Sequence, residues 1–188
     1  NSNKNTQQLA RAIEPEVYLG DARAVPLEDQ SCDLIITSPP YLNNIDYSKI
    51  YGLELSLLNM DKTEAEVMRN RAIRSFITKK INKPNESDEM PPEVGEIGSR
   101  IPIIGTYFKD MELAIKEMHR ILRSGGTANV IVSNSVIHET HVLVDEVFAE
   151  MAERIGFKEI EIIVGAQRIA DVKPHKVKTR ESIVVMRK

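Results

Sequence analysis

The sequence has no tryptophan, a single cysteine and few aromatic residues, which make up 5 % of its 188 positions. A lone Cys32 excludes an internal disulfide framework and any cysteine-rich zinc site. No apolar run approaches the roughly 20 residues that span a bilayer, and the opening NSNKNTQQ has no signal-peptide pattern. Gly-x-Gly does not occur, and the only adjacent glycines are Gly125 and Gly126. The formal net charge of −3 argues against a protein that coats nucleic acid by bulk electrostatics, while leaving room for local basic patches. What remains is a globular composition, 41 % hydrophobic and 28 % charged, with a length that suits one domain. The expected compartment is the cytoplasm.

Periodicity divides the chain into alternating elements. Residues 4–14 read as an opening helix stopped by Pro15, followed by a short strand, Val17-Tyr18-Leu19, closed by Gly20-Asp21. Asp33-Leu34-Ile35-Ile36-Thr37 is an apolar run of the kind a parallel sheet buries on both faces. It halts at Ser38-Pro39-Pro40-Tyr41, because two prolines cannot continue a ladder. From Ile45 to Ile81 the pattern is helical, with a break near Asn59-Met60-Asp61. Residues 82–105 hold four prolines and three glycines and read as a long loop or insertion.

The strongest helix follows, with Tyr107, Met111, Ala114, Ile115, Met118, Ile121 and Leu122 on one face. Arg120 and Arg123 complement its dipole, and Gly125-Gly126 is expected to end it. Ala128–Val132 reads as a strand, 139–155 as a helix, and Phe157–Val164 with Ser182–Met186 as an antiparallel hairpin joined by the basic segment 167–180. The sum is an α/β domain whose sheet is mostly parallel with an antiparallel edge.

Thr37-Ser38-Pro39-Pro40-Tyr41 carries the most chemistry. It lies at the carboxyl end of a strand, where open α/β sheets place their ligands. Neither proline has an N–H, so their carbonyls are free to accept hydrogen bonds, and Tyr41 adds a flat face beside them. Such a cluster suits a planar group bearing an exocyclic amine. A strand-ending turn with a packed tyrosine is the plainer alternative.

This motif resembles the catalytic motif of the amino-methylating DNA methyltransferases, in the Ser-Pro-Pro-Tyr form of the N4-cytosine enzymes. The N6-adenine enzymes mostly carry Asp-Pro-Pro-Tyr. Tyr18-Leu19-Gly20-Asp21-Ala22-Arg23 resembles the strand end that holds the adenine of S-adenosylmethionine. Tyr107 to Met111, Arg120 to Leu122 and Gly125-Gly126 are similar to the helix and turn before the family's fifth strand, and Arg180 to Met186 to its closing strand. The matches run in the family's order over most of 17–188. The chain departs from the family in lacking its glycine-rich Phe-x-Gly-x-Gly cofactor loop.

The resemblance implies a class I, Rossmann-like S-adenosylmethionine-dependent methyltransferase fold that 1–188 holds in part, as one partial catalytic domain. A complementary subunit, an N-terminal region or a second copy of this chain would supply the glycine-rich loop. The implied activity is methyl transfer to N4 of cytosine in double-stranded DNA, within a restriction-modification setting and at the nucleoid. N6-adenine methylation of DNA and N2-guanine methylation of RNA are the neighbouring alternatives, and a non-catalytic DNA-binding or partner subunit is the alternative of another class.

Catalysis then falls to Ser38, Pro39, Pro40 and Tyr41, and cofactor contact to Asp21, Ala22, Thr37 and Ser38. Transfer is direct, with no role for Cys32 beyond the core. Asn43, Asn44 and Tyr47 follow the motif and could contact DNA or cap the next helix. Arg168, Lys173, Lys176 and Lys178 belong to a basic stretch that suits phosphates or simply solvent. Residues 55–105 are the candidate target-recognition region. His119, His138 and His141 have no metal-ligand spacing, so no metal site is expected.

Overall fold

The computed structural model describes residues 15–42, 50–58, 61–75, 90–172 and 175–188. The expected helix over 4–14 lies outside them, as do Asn43, Asn44, Tyr47 and Lys173. Strand β1 (Cys32–Thr37) forms as expected. Two helices follow, α1 (Gly52–Leu57) and α2 (Lys62–Arg71). They part where the sequence changes pattern, because Asp61 caps α2. Its carboxylate accepts from the N–H groups of Thr63 and Glu64, and Glu64 accepts in return from the Asp61 N–H.

The reading of 82–105 as loop fails from Pro92 onward. A 3-10 turn (Pro92–Val94) leads into α3 (Gly95–Arg100) and then into the long helix α4 (Pro102–Ile121). Here the prolines start helices rather than break them, since the first helical position needs no N–H. The glycines let α3 and α4 touch. A Cβ on Gly98 would stand 2.9 Å from the Gly105 Cα, against backbone that cannot yield. Gly98→Ala is therefore expected to cost about 1–3 kcal/mol by pushing α3 off α4. A thermal melt that matches the parent would show that the two helices separate freely.

Helix α4 passes directly into β2 (Leu122–Ser133), so Gly125-Gly126 lies inside a strand instead of ending the helix. Gly125 has φ +79, which only glycine adopts readily, and the kink lets its N–H reach the carbonyl of Lys188. A tight hairpin, β3 (Ser135–Ile137) and β4 (Thr140–Val142), occupies the stretch expected to open the next helix. His138 and Glu139 take positive φ at its tip. Helix α5 (Val144–Ile155) starts after it. Strands β5 (Glu159–Val172) and β6 (His175–Arg187) form the expected antiparallel hairpin, extended through the basic segment as strand.

The main sheet has the order β1-β2-β6-β5. β1 runs parallel to β2, while β2–β6 and β6–β5 are antiparallel. Ala128, Val130 and Val132 of β2 with Val184 and Met186 of β6 are buried on one face, against Tyr107, Phe108, Met111 and Ile115 of α4 and Phe148 and Met151 of α5. Tyr107, Phe108 and Phe148 meet with ring centroids 5.2–6.4 Å apart at the centre of this core.

The opposite face differs from the expectation of double burial. Leu34 and Ile36 are 55 % and 69 % exposed, and β1 is an edge strand among the described residues. Val17, Tyr18 and Leu19 are exposed and join no strand. The sequence pattern is that of an interior strand, and the described chain covers only one of its sides. No helix among the described residues is long and apolar enough to cross a membrane.

Candidate active site at the carboxyl end of β1

The turn after β1 is pinned at both ends. Thr37 is registered against Val130 in the ladder, and Leu42, five residues on, is fully buried. The Leu42 carbonyl accepts a hydrogen bond from the Ser135 hydroxyl at the start of β3. Between these anchors Pro39 is buried, Pro40 and Tyr41 are half-buried, and Ser38 is exposed. Rigid prolines thus present a hydroxyl and an aromatic ring at the carboxyl end of β1. The Tyr41 hydroxyl donates to Glu181 Oε1 at 2.7 Å, and the Ser38 hydroxyl lies 3.5 Å from the Tyr41 oxygen. The other oxygen of Glu181 accepts from Arg168 at 3.0 Å.

A second polar cluster lies next to Glu181 in sequence, around Arg180 and Ser182. Asp145, in the first turn of α5, is wholly buried and accepts from Arg180 Nε at 2.7 Å and from the Ser182 hydroxyl at 2.6 Å. Asn134 ties in twice, its N–H donating to the Arg180 carbonyl and its side chain accepting from the Asp145 N–H. Burial alone would raise the Asp145 pKa, but the hydrogen bonds from Arg180 and Ser182 and the Arg180 charge hold it below the ordinary carboxylate range.

Arg180, which the sequence places in the basic stretch, is thus committed to Asp145 and to Glu146. Neither Asp145 nor Glu181 stands out in the sequence. The one available signal is an acid standing just before an apolar strand inside a basic run, which describes Glu181.

The residues expected around the cofactor divide. Thr37 and Ser38 sit at the strand end, and Ala22 is exposed. Asp21 is engaged locally, since Arg23 donates to both of its oxygens through the backbone N–H and the guanidinium, at 2.7 Å for the closest contact. The hydrogen bonds from Arg23 lower the Asp21 pKa. Arg23 also reaches Asp110 of α4 at 2.7 Å and the Arg71 carbonyl, so the 21–24 turn is fastened to α4 and α2. A carboxylate has about four acceptor positions, so an adenine amino group at Asp21 would have to share it with Arg23.

On the hairpin, Arg168, Lys176 and Lys178 are all exposed. The register sets them on two faces. Arg168 pairs with Thr179 on the Glu181 side, whereas Lys176 and Lys178 continue the Arg180–Ser182 side. Among the described residues no cluster of His, Cys, Asp or Glu is arranged to hold a metal ion.

No protein-family model matches the chain. It is 24 % identical over 175 residues to the type II methyltransferase M.BsoBI of Geobacillus stearothermophilus, covering 76 % of this chain and 34 % of that protein. It is 28 % identical over 159 residues to the type II methyltransferase M.AvaI of Nostoc sp., covering 73 % of this chain and 33 % of the relative. The chain therefore spans about a third of the length of these curated relatives. Among solved structures it resembles TTHA0409 of Thermus thermophilus, provisionally designated a DNA modification methylase and crystallised with S-adenosyl-L-methionine. The TM-score is 0.50 at 16 % identity, over 90 % of this chain and 54 % of that one. The resemblance to DNA methyltransferases is borne out by the relatives, and the partial Rossmann-like fold by the structural match.

Proposed function

We propose that this chain is the target-base half of a DNA methyltransferase that acts with S-adenosylmethionine on N4 of cytosine in duplex DNA. The observation that carries the reading is the Ser38–Tyr41 turn, held rigidly at the carboxyl end of a parallel strand with its serine exposed. The relatives named above are type II methyltransferases, in line with it.

An exocyclic amine is a poor nucleophile because its lone pair is delocalised into the ring. The Ser38 hydroxyl and the Pro39 carbonyl, accepting its two N–H bonds, draw the nitrogen toward sp³ geometry and aim the lone pair. Tyr41 stacks on the base once it leaves the duplex. Bound S-adenosylmethionine supplies an electrophilic methyl group. Thr37, Ser38, Ala22 and Asp21 would hold it, Asp21 sharing its carboxylate with Arg23. Leu34 and Ile36 offer an apolar edge that fits a covered site better than an open one.

That edge also fits the expected partner. A complementary segment or subunit bearing the glycine-rich loop, or a second copy, would add a strand beside β1 and pack on the sheet face that bears Leu34 and Ile36. Arg168, Lys173, Lys176 and Lys178 meet the DNA backbone, Asn43, Asn44 and Tyr47 the opened duplex, and the helical region within 55–105 contributes to target recognition. The protein would work in the cytoplasm, where its DNA lies.

The test is calorimetric titration of the intact protein with S-adenosylmethionine, then nucleoside analysis of treated DNA and RNA. Cofactor binding with N4-methylcytosine is the expected outcome. N6-methyladenine or N2-methylguanine would move the chemistry to a neighbouring amine, and cofactor binding without any product would leave a non-catalytic subunit.

A further inference from the structure

We infer that Glu181 is a positioning residue that sets the orientation of the Tyr41 ring, an inference that rests on the methyltransferase reading for its purpose but not for its geometry. Tyr41 leaves a turn whose backbone is fixed by two prolines, yet a tyrosine side chain still has two rotatable torsions. A ring that must present a flat face to a planar base gains from having both fixed in advance, because a misoriented face loses stacking without losing the turn.

Glu181 supplies that restraint from 140 residues away in sequence: its bond holds the hydroxyl, and with it the first torsion, and biases the second because a phenolic O–H prefers to lie in the ring plane. Its Oε1 accepts the Tyr41 hydroxyl hydrogen at 2.7 Å, within the range of a charge-assisted bond. Glu181 is itself held firmly. Its backbone pairs with Ser133 of β2, and its other oxygen receives Arg168 at 3.0 Å. Glu181 is only 26 % exposed at its side chain, whereas Arg168 is 71 % exposed. The carboxylate therefore stands at a half-buried joint between the catalytic turn and the basic hairpin. Arg168 can turn toward a phosphate without freeing Tyr41, because the two residues use different oxygens of Glu181.

The experiment pairs a spectroscopic signal with a double-mutant cycle. The intact protein is labelled with 3-fluorotyrosine, and the Tyr41 resonance is assigned by its loss in Tyr41→Phe. Glu181→Ala is expected to shift that resonance by more than its linewidth and leave the other tyrosines in place. Glu181→Gln keeps an acceptor oxygen and is expected to restore most of the shift. In methyl transfer, Glu181→Ala is expected to lower kcat about 10-fold with cofactor affinity within about twofold, and Glu181→Gln to stay within about threefold of the parent.

Because both changes cut one hydrogen bond, Tyr41→Phe with Glu181→Ala should be no slower than Tyr41→Phe alone. A fluorine signal indifferent to Glu181→Ala, or losses that multiply in the double variant, would overturn the inference. A parent protein that transfers no methyl group refutes the methyltransferase reading instead, and the fluorine signal still decides whether Glu181 holds the ring.

Discussion

Tyr41→Ala is expected to lower methyl transfer by about 100-fold, while Tyr41→Phe and Tyr41→Trp lose about 10-fold or less. Stacking a base on an aromatic ring contributes about 1–3 kcal/mol, and the upper part of that range corresponds to roughly two orders of magnitude in rate. Phenylalanine keeps the ring and forfeits the hydroxyl with its bond to Glu181 and its contact with Ser38; tryptophan enlarges the face. Alanine leaves the flipped base with Ser38 and the Pro39 carbonyl alone, so it can still be bound by its amine but not held flat. Single-turnover transfer to a short duplex separates these cases, because product release does not enter. Equal losses in the phenylalanine and alanine variants would mean that the hydroxyl, and not the ring, does the work.

The second large effect concerns stability. Asp145→Ala is expected to destabilise the fold by about 3 kcal/mol, since it takes the buried partner from Arg180, leaving it Glu146 alone, and strands the buried Ser182 hydroxyl. In a domain of this size that corresponds to a fall in melting temperature of roughly 6–12 °C. Asp145→Asn retains hydrogen bonding and should lose less.

The pH dependence has a definite sign. The folded-state pKa of Asp145 lies below its ordinary value of 3.8. Its contribution is thus complete above that value and disappears as the pH falls through the lower, folded one. Melts at pH 7 and near pH 3 should show the parent losing more of its stability on acidification than Asp145→Asn. Parallel acid losses in the two proteins would mean that Arg180 is satisfied by Glu146 and solvent instead.

The legible parts of this fold are those in which local pattern and tertiary role agree. Helix α4 announces itself by the spacing from Tyr107 to Ile121, and each of those residues on the apolar face is buried. β1 is legible as a strand from Asp33 to Thr37, and the turn after it from two prolines. The misreadings have physical causes. Pro92 and Pro102 look like breakers but occupy first helical positions, and Gly125-Gly126 looks like a helix stop but serves a strand kink. The hairpin Ser135–Val142 turns on His138 and Glu139 at positive φ, where no glycine marks it.

The candidate site shows the same division. Ser38 to Tyr41 can be read from contiguous residues, and so can the basic hairpin. The residues that steady them cannot. Glu181 acquires its meaning only when β6 lies beside β2, and Asp145 only when α5 brings it under Arg180. Asp21 is the reverse case. Its place in a family-like segment points to a ligand, while the structure shows it already engaged by its neighbour Arg23.

Under the proposed function the β5–β6 hairpin would act as a ruler. β2 accompanies β6 only from Glu181 to Arg187, so beyond Glu181 the two strands project past the sheet as a ribbon. Lys176 stands five residues out along it, about 17 Å at the usual strand rise. Duplex DNA advances about 3.4 Å per base along each strand, so that reach equals about five base steps. A footprint measured on the bound duplex should accordingly be lopsided, with phosphate protection extending about half a helical turn from the flipped base on the side where the ribbon lies.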